Sequence, residues 1–271
     1  MGENSPAQTL RQEMRAGRFA VPTSGQALGF VQANLVVVPQ ESAFDFLLFC
    51  QRNPKPCPLL EVVEAGSVEP RRLAPGADLR KDLPRYRVFR DGKMTEEPTD
   101  VEGIWRDDFV SFLLGCSFSF EKALLDAGLR MRNIELKQNV PMYRTNIACR
   151  PAGAFEGPMV VSMRPFSPEQ AIRAALVTGR FPEVHGAPIH MSTPQTIGVS
   201  DLERPDYGDA LPVREGEIPV FWACGVTPQE VLLRAKLPLA ITHSPGHMFV
   251  TDLQENELPW YREEVRQKAR D

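Results

Sequence analysis

Histidine is scarce in this chain, with four residues among 271, and all four lie in its last third. Several common signatures are missing altogether. There is no Gly-x-Ser-x-Gly elbow, no P-loop and no Gly-x-Gly-x-x-Gly turn, so the usual hydrolase, nucleotide and dinucleotide readings lose their best support. No Cys-x-x-Cys pair occurs. The five cysteines (Cys50, Cys57, Cys116, Cys149 and Cys224) are odd in number and widely spread. That argues against a thiolate zinc site and a disulfide framework, and suits a reducing compartment. No apolar run approaches the roughly 20 residues that span a bilayer, and Met1 to Ala20 lacks the apolar core of a secretory signal. A soluble, cytoplasmic protein is expected. No basic stripe accompanies the net charge of −4, so neither nucleic acid nor membrane is an expected partner. No internal repeat or low-complexity tract is evident.

What is present is an ordinary globular composition, 42% hydrophobic and 24% charged, in a chain long enough for one large domain or two interlocked ones. Its 25 prolines and 19 glycines fall between apolar runs and mark turns. Ser5-Pro6 opens a helix that carries Leu10 and Met14 on one face, and Gly17 stops it. Ala33 to Val38 reads as a buried strand, Ser42 to Gln51 as a helix and Leu59 to Val63 as a strand, which suggests a βαβ unit. Asp91-Gly92 signals a hairpin within Tyr86 to Met94. Trp105 to Leu114 has helical spacing and ends at Gly115, and Ser119 to Ala127 reads as a further helix. Met142 to Arg150 and Met159 to Arg164 read as strands. Ser167-Pro168-Glu169-Gln170 and Thr227-Pro228-Gln229-Glu230 are capping boxes. Ile218 to Ala223, Leu239 to Thr242 and Met248 to Thr251 complete the strands. The expected fold is α/β, a mixed-sheet main domain with a smaller α+β portion inserted in the middle of the chain. Residues 1–130 with 217–271 form the main part and 131–216 the smaller one.

Five segments offer chemistry. Proline and glycine stiffen two histidine loops, one with His185 and His190, the other with His243 and His247. Such loops at strand ends are where α/β proteins place reactive side chains, and an imidazole there can act as a general base. His-x-x-x-His on a helix would bind metal, but Pro245 and Gly246 argue against a helix. Gly115 to Glu121 brings Cys116, Ser117 and Ser119 to the start of a helix whose free N–H groups suit an anion. Cys116 as a buried small residue and Ser119 as a cap are the alternative. Asn139 to Asn146 combines Tyr143, Arg144 and Asn146. On a strand Arg144 and Asn146 share a face, and Arg144 or Arg164 can hold a carboxylate in a fork. Cys224-Gly225 lies at a strand-to-helix turn, where α/β folds bind ligands.

These segments carry a resemblance. GCSFSFE (115–121), NVPMYRTN (139–146), GPMVVSMRP (157–165), HGAPIH (185–190), FWACGVTPQ (221–229) and THSPGHMFVTD (242–252) together resemble a bacterial hydro-lyase family that is similar to the front part of mitochondrial D-glutamate cyclase. The resemblance implies a two-part α/β fold and a carbon–oxygen lyase that converts D-glutamate to 5-oxo-D-proline with loss of water, with no metal or organic cofactor demanded. For that reaction His247, His243, Asn146 and Cys116 are the catalytic candidates. Arg144, Arg164, Tyr143, Ser117, His190, Cys224 and Gly225 are the candidates for binding a small carboxylate-bearing substrate. Association with further copies of the chain stays open. A non-catalytic module that binds a small carboxylate or a partner, and a metal-dependent hydrolase built on the histidines, are the competing readings.

Overall fold

The computed structural model of the protein describes residues 4–258. Two sheets organise them, antiparallel at every pairing. The first contains β1 (Phe30–Pro39), β2 (Leu59–Val63), β3 (Tyr86–Arg90), β4 (Lys93–Glu96), β5 (Phe109–Gly115), β10 (Ala240–His243) and β11 (Phe249–Gln254). Its order is β2-β5-β1-β10-β3-β4, with β11 also pairing β1. The second contains β6 (Met142–Ala148), β7 (Pro158–Phe166), β8 (His190–Met191) and β9 (Ile218–Ala223), in the order β6-β7-β9-β8. Six helices accompany them among the described residues: α1 (Pro6–Arg15), α2 (Gln40–Arg52), α3 (Glu121–Asp126), α4 (Arg132–Leu136), α5 (Pro168–Thr178) and α6 (Thr227–Ala235). None is long and apolar enough to cross a membrane.

The mixed α/β class expected from sequence is borne out. β1 is buried at every position after Phe30 because both its faces are covered. Val36 and Val38 pack with Phe46 and Phe49 of α2 and Val231 and Leu232 of α6. Ala33, Leu35 and Val37 pack with Phe166, Val220 and Trp222 of the second sheet. The two sheets thus share one core, and burying aromatic and branched side chains there at about 1.5–3 kcal/mol each supplies most of the driving force. The hairpin forms where Asp91-Gly92 placed it, with both residues at positive φ. The Ser5 and Ser167 capping boxes are both made.

Three local expectations are corrected. Trp105 to Leu114 is not helical: it ends in β5, whose residues are all buried. With both faces covered, apolar residues need not alternate, and the run mimics helical spacing. β1 and β2 do not pair directly, because β5 lies between them and is antiparallel to both. The Thr227 box does not close either: α6 is capped at Val226 without a side-chain bond, and the Thr227 hydroxyl bonds the Cys224 carbonyl at 2.7 Å. β9, which follows residue 216, lies in the second sheet.

The two sheets also repeat one another. β1-α2-β2-β5-α3 and β7-α5-β8-β9-α6 have the same order, the same antiparallel pairings, and the later strand between the two earlier ones. The register agrees residue by residue. Ala33 faces Gly115 as Val161 faces Ala223, and α2 follows Pro39 as α5 follows Ser167. Aligned without gaps, residues 32–54 and 160–182 match at Glu41/Glu169, Ala43/Ala171, Leu48/Leu176, Arg52/Arg180 and Pro54/Pro182.

Candidate active site

The site lies on the seam between these two halves, where β5 and β9 end in matching turns. The Cys116 amide donates to the Gln32 carbonyl at 3.1 Å, and the Cys224 amide to the Val160 carbonyl at 3.0 Å. Three residues on, a hydroxyl clamps the neighbouring strand in each half. The Gln32 amide donates to Ser119 Oγ at 2.9 Å, and the Val160 amide to Thr227 Oγ1 at 3.0 Å. The Cys116 sulfur also receives the Phe118 amide, at 3.5 Å.

Contacts across the seam are reciprocal. Gly225 sits against the side chain of Asn34, and a Cβ there would overlap its amide group. Asn34 in turn donates to the Gly115 carbonyl at 2.7 Å. At the matching place in the other direction, Arg164 bridges Ser162 (3.4 Å) and Ser117 (3.3 Å). Ser162 occupies the position of Asn34, and Ser117 that of Gly225. Such i-to-j and j-to-i contact is the mark of two-fold packing.

Charge enters this apolar seam through Arg164, only 1% exposed. It pairs with Glu121 at 3.2 Å and stacks over Phe120 and Trp222. Glu121 also accepts from Ser24, the Gly25 amide and Asn133, so its carboxyl group is fixed in position. Arg164 Nε finds no partner among the described residues. A buried guanidinium with a spare N–H suits a carboxylate. Around it, Cys116 and Cys224 share an apolar cluster with Val140, Met142, Val160 and Met248. Burial pushes both thiols up, Cys224 to about 11, so both are protonated at neutral pH.

The 243–247 loop reaches the same seam. Gln229 of α6 donates to the His243 carbonyl at 2.9 Å, and Gly246 packs on Asn139. His243 Nδ1 faces the Leu35 carbonyl at 3.2 Å. A carbonyl only accepts, so Nδ1 carries the hydrogen and Nε2 a bare lone pair. That Nε2 is buried without a partner among the described residues, and burial holds the imidazole neutral, its pKa lowered to about 3. His247 Nδ1 bonds the Pro245 carbonyl at 3.0 Å, and burial lowers this imidazole as well.

Of the residues nominated from sequence, Cys116, Ser117, Arg164, Cys224 and Gly225 meet at the seam, and His243 and His247 lie on the loop that joins it. Four others lie away from it. Arg144 is half-exposed on the edge of the second sheet, bonded to Asp206 (2.6 Å) and Glu230 (2.8 Å). Burial of the Tyr143 hydroxyl pushes its pKa up, and it donates to the Leu202 carbonyl at 2.7 Å. Asn146 is exposed and bonds the Thr196 carbonyl. His190 bonds the Thr193 carbonyl (2.8 Å) and Thr196 (3.0 Å). Arg144 is tied back to the loop through a chain of contacts. Glu230 meets Tyr207, Arg87 lies over the Tyr207 ring, and Arg87 bonds Gln229. His185 is buried on the Lys55 carbonyl at 2.8 Å. No group of three His, Cys, Asp or Glu side chains suited to a metal gathers among the described residues.

Sequence reasoning passed over Asn34, Glu121 and Asn139. Asn34 did leave a signal, as the one polar residue in an otherwise apolar strand run, where an amide must find partners.

The pattern of the D-glutamate cyclase family matches residues 110–252, which include Cys116, Ser117, Glu121, Arg164, Cys224 and Gly225. A "Putative hydro-lyase" of Stutzerimonas stutzeri is 59% identical over 254 residues, covering 94% of this chain and 96% of the relative. One of Rubrobacter xylanophilus is 61% identical, covering 93% and 97%. A solved nitrogen repressor-like protein from Methanococcus jannaschii covers 87% of this chain and 91% of its own, at 9% identity and a TM-score of 0.37. So loose a likeness carries no argument. The resemblance drawn from the six motifs is borne out: the chain belongs to the D-glutamate cyclase family.

Proposed function

We propose that the protein is a carbon–oxygen lyase that cyclises D-glutamate to 5-oxo-D-proline at the seam between its two halves. The observation that supports this most is Arg164, a buried guanidinium with an unused N–H, close to two protonated thiols.

Cyclisation joins the substrate's α-amine to its own side-chain carboxyl. The C–N bond forms, a carboxyl C–O bond breaks, and the departing water takes one proton from the amine and one from the carboxylic acid. Arg164 holds the α-carboxylate in a fork, and the apolar seam folds the chain so that nitrogen and carbonyl carbon meet. Orientation of this kind is worth several kcal/mol. The amine attacks in its uncharged form, and the proton it sheds leaves to solvent. The Ser117 and Gly225 amides, at the two turns, stabilise the oxyanion, and a seam thiol gives a proton to the leaving oxygen. No residue of the outer group, Arg144, Tyr143, Asn146 or His190, is given a chemical role in this scheme.

The test is to incubate purified protein with D- and L-glutamate separately and measure 5-oxoproline. The expected result is product from the D-enantiomer, reduced at least about 100-fold in Arg164→Lys, which keeps the charge but loses the fork. No product from either enantiomer with folded protein sinks the cyclase reading.

A further inference from the structure

Cyclisation uses one proton donor, yet the seam supplies two thiols in matching settings. Cys116 and Cys224 follow equivalent strands and donate equivalent backbone bonds to the Gln32 and Val160 carbonyls. Both retain slight exposure, 6% and 8%, while the strand residues Leu114 and Ala223 have none. Both are unpaired with any other cysteine. Both belong to one buried apolar cluster with Val140, Met142, Val160 and Met248, and the Arg164 charge acts on both. The unpartnered Arg164 Nε supplies an independent indication of an anionic ligand at the same place.

Inverting a tetrahedral carbon needs a proton acceptor on one face and a proton donor on the opposite face. Two halves related by a pseudo-dyad provide such a pair, because whatever one half offers to one face the other offers to its opposite. We propose that Cys116 and Cys224 exchange the Cα proton of a bound acidic amino acid, so that the protein interconverts L- and D-glutamate. One sulfur gives up its proton to solvent, a loss the nearby Arg164 charge favours; the resulting thiolate takes the α-hydrogen, and the Cα–H electron pair spreads into the carboxylate held by Arg164. The other thiol gives its proton to Cα from the opposite face and becomes the thiolate. No electrons are gained or lost, and the two sulfurs trade roles between the enantiomers. The choice of glutamate rests on the cyclase reading; the proton exchange itself does not.

The experiment is incubation of the full chain with L- and D-glutamate separately in D2O, following Cα deuterium by NMR, enantiomer composition, and 5-oxoproline in the same samples. Wild type is expected to place deuterium at Cα and interconvert the enantiomers. Cys116→Ser and Cys224→Ser are each expected to lose interconversion by at least about 100-fold. Each variant keeps Cα exchange with one enantiomer only, a different one in each, which a merely structural role would not produce. 5-Oxoproline formed without Cα deuterium overturns this proposal and leaves the cyclase reading standing. Cα deuterium without 5-oxoproline does the reverse. Unchanged interconversion in both folded variants overturns it, and if a variant fails to fold, the wild-type deuterium result alone decides.

Discussion

Gly225 lies against the amide of Asn34 with no room for a methyl group between them. The two residues belong to opposite halves, and Asn34 holds the end of β5 through the Gly115 carbonyl. Gly225→Ala is expected to cost about 1–3 kcal/mol by overpacking and to abolish activity by displacing the turn. Asn34→Ala in the same chain should recover part of that stability, because it removes the obstructing group. Urea unfolding of the two single variants and the double variant measures the coupling. Additive effects would show that the contact is not the cause.

The Arg164–Glu121 and Arg144–Glu230 pairs should respond very differently to loss of one partner. Glu121→Ala leaves a fully buried guanidinium uncompensated, and a loss of about 3–5 kcal/mol is expected. Arg144 is half in water, so Arg144→Ala should cost about 1 kcal/mol or less. Thermal and denaturant unfolding of both variants checks the contrast, and equal losses would contradict the burial assigned to Arg164.

Acid should weaken the fold through two histidines. Burial lowers His185 to about 4 and His243 to about 3, while the unfolded chain protonates histidine near 6.5. The unfolded state therefore binds these protons first. The contribution is complete above about pH 6.5 and is lost progressively as pH falls towards 4 and 3, at up to about 1.4 kcal/mol per unit for each histidine. Unfolding free energies measured from pH 7 to 4.5 should fall more gently in His185→Asn than in wild type. Parallel curves would refute the assignment for that residue.

Ser119 and Thr227 make the same bond in the two halves, each accepting the amide of the adjacent strand. Ser119→Ala and Thr227→Val each strand a buried amide, at about 1–3 kcal/mol. Similar losses in the two variants are expected from the repeat, and a large disparity would argue that the halves are not equivalent in energy.

Much of this was legible from residue order alone. β1 and both serine capping boxes follow from local chemistry that no later packing overrides. The shared face of Arg144 and Asn146 also follows from strand parity, and both are exposed. What parity cannot supply is which face looks inward, and that face here points away from the seam. β5 was unreadable for a related reason, since a strand covered on both sides has no polar face to reveal its period. The repeat escaped notice because packing preserves shape and apolar character more than identity. Asn34 and Ser162, or Glu121 and Gln229, occupy matching places with different chemistry.

A molecule assembled this way is a homodimer written into one polypeptide. In a true homodimer any substitution appears twice, so the groups on either side of the axis must stay alike. Fusion lifts that constraint. Ser117 opposite Gly225, and Glu121 opposite Gln229, are divergences open only to a single chain, and they make the two sides of the seam chemically different.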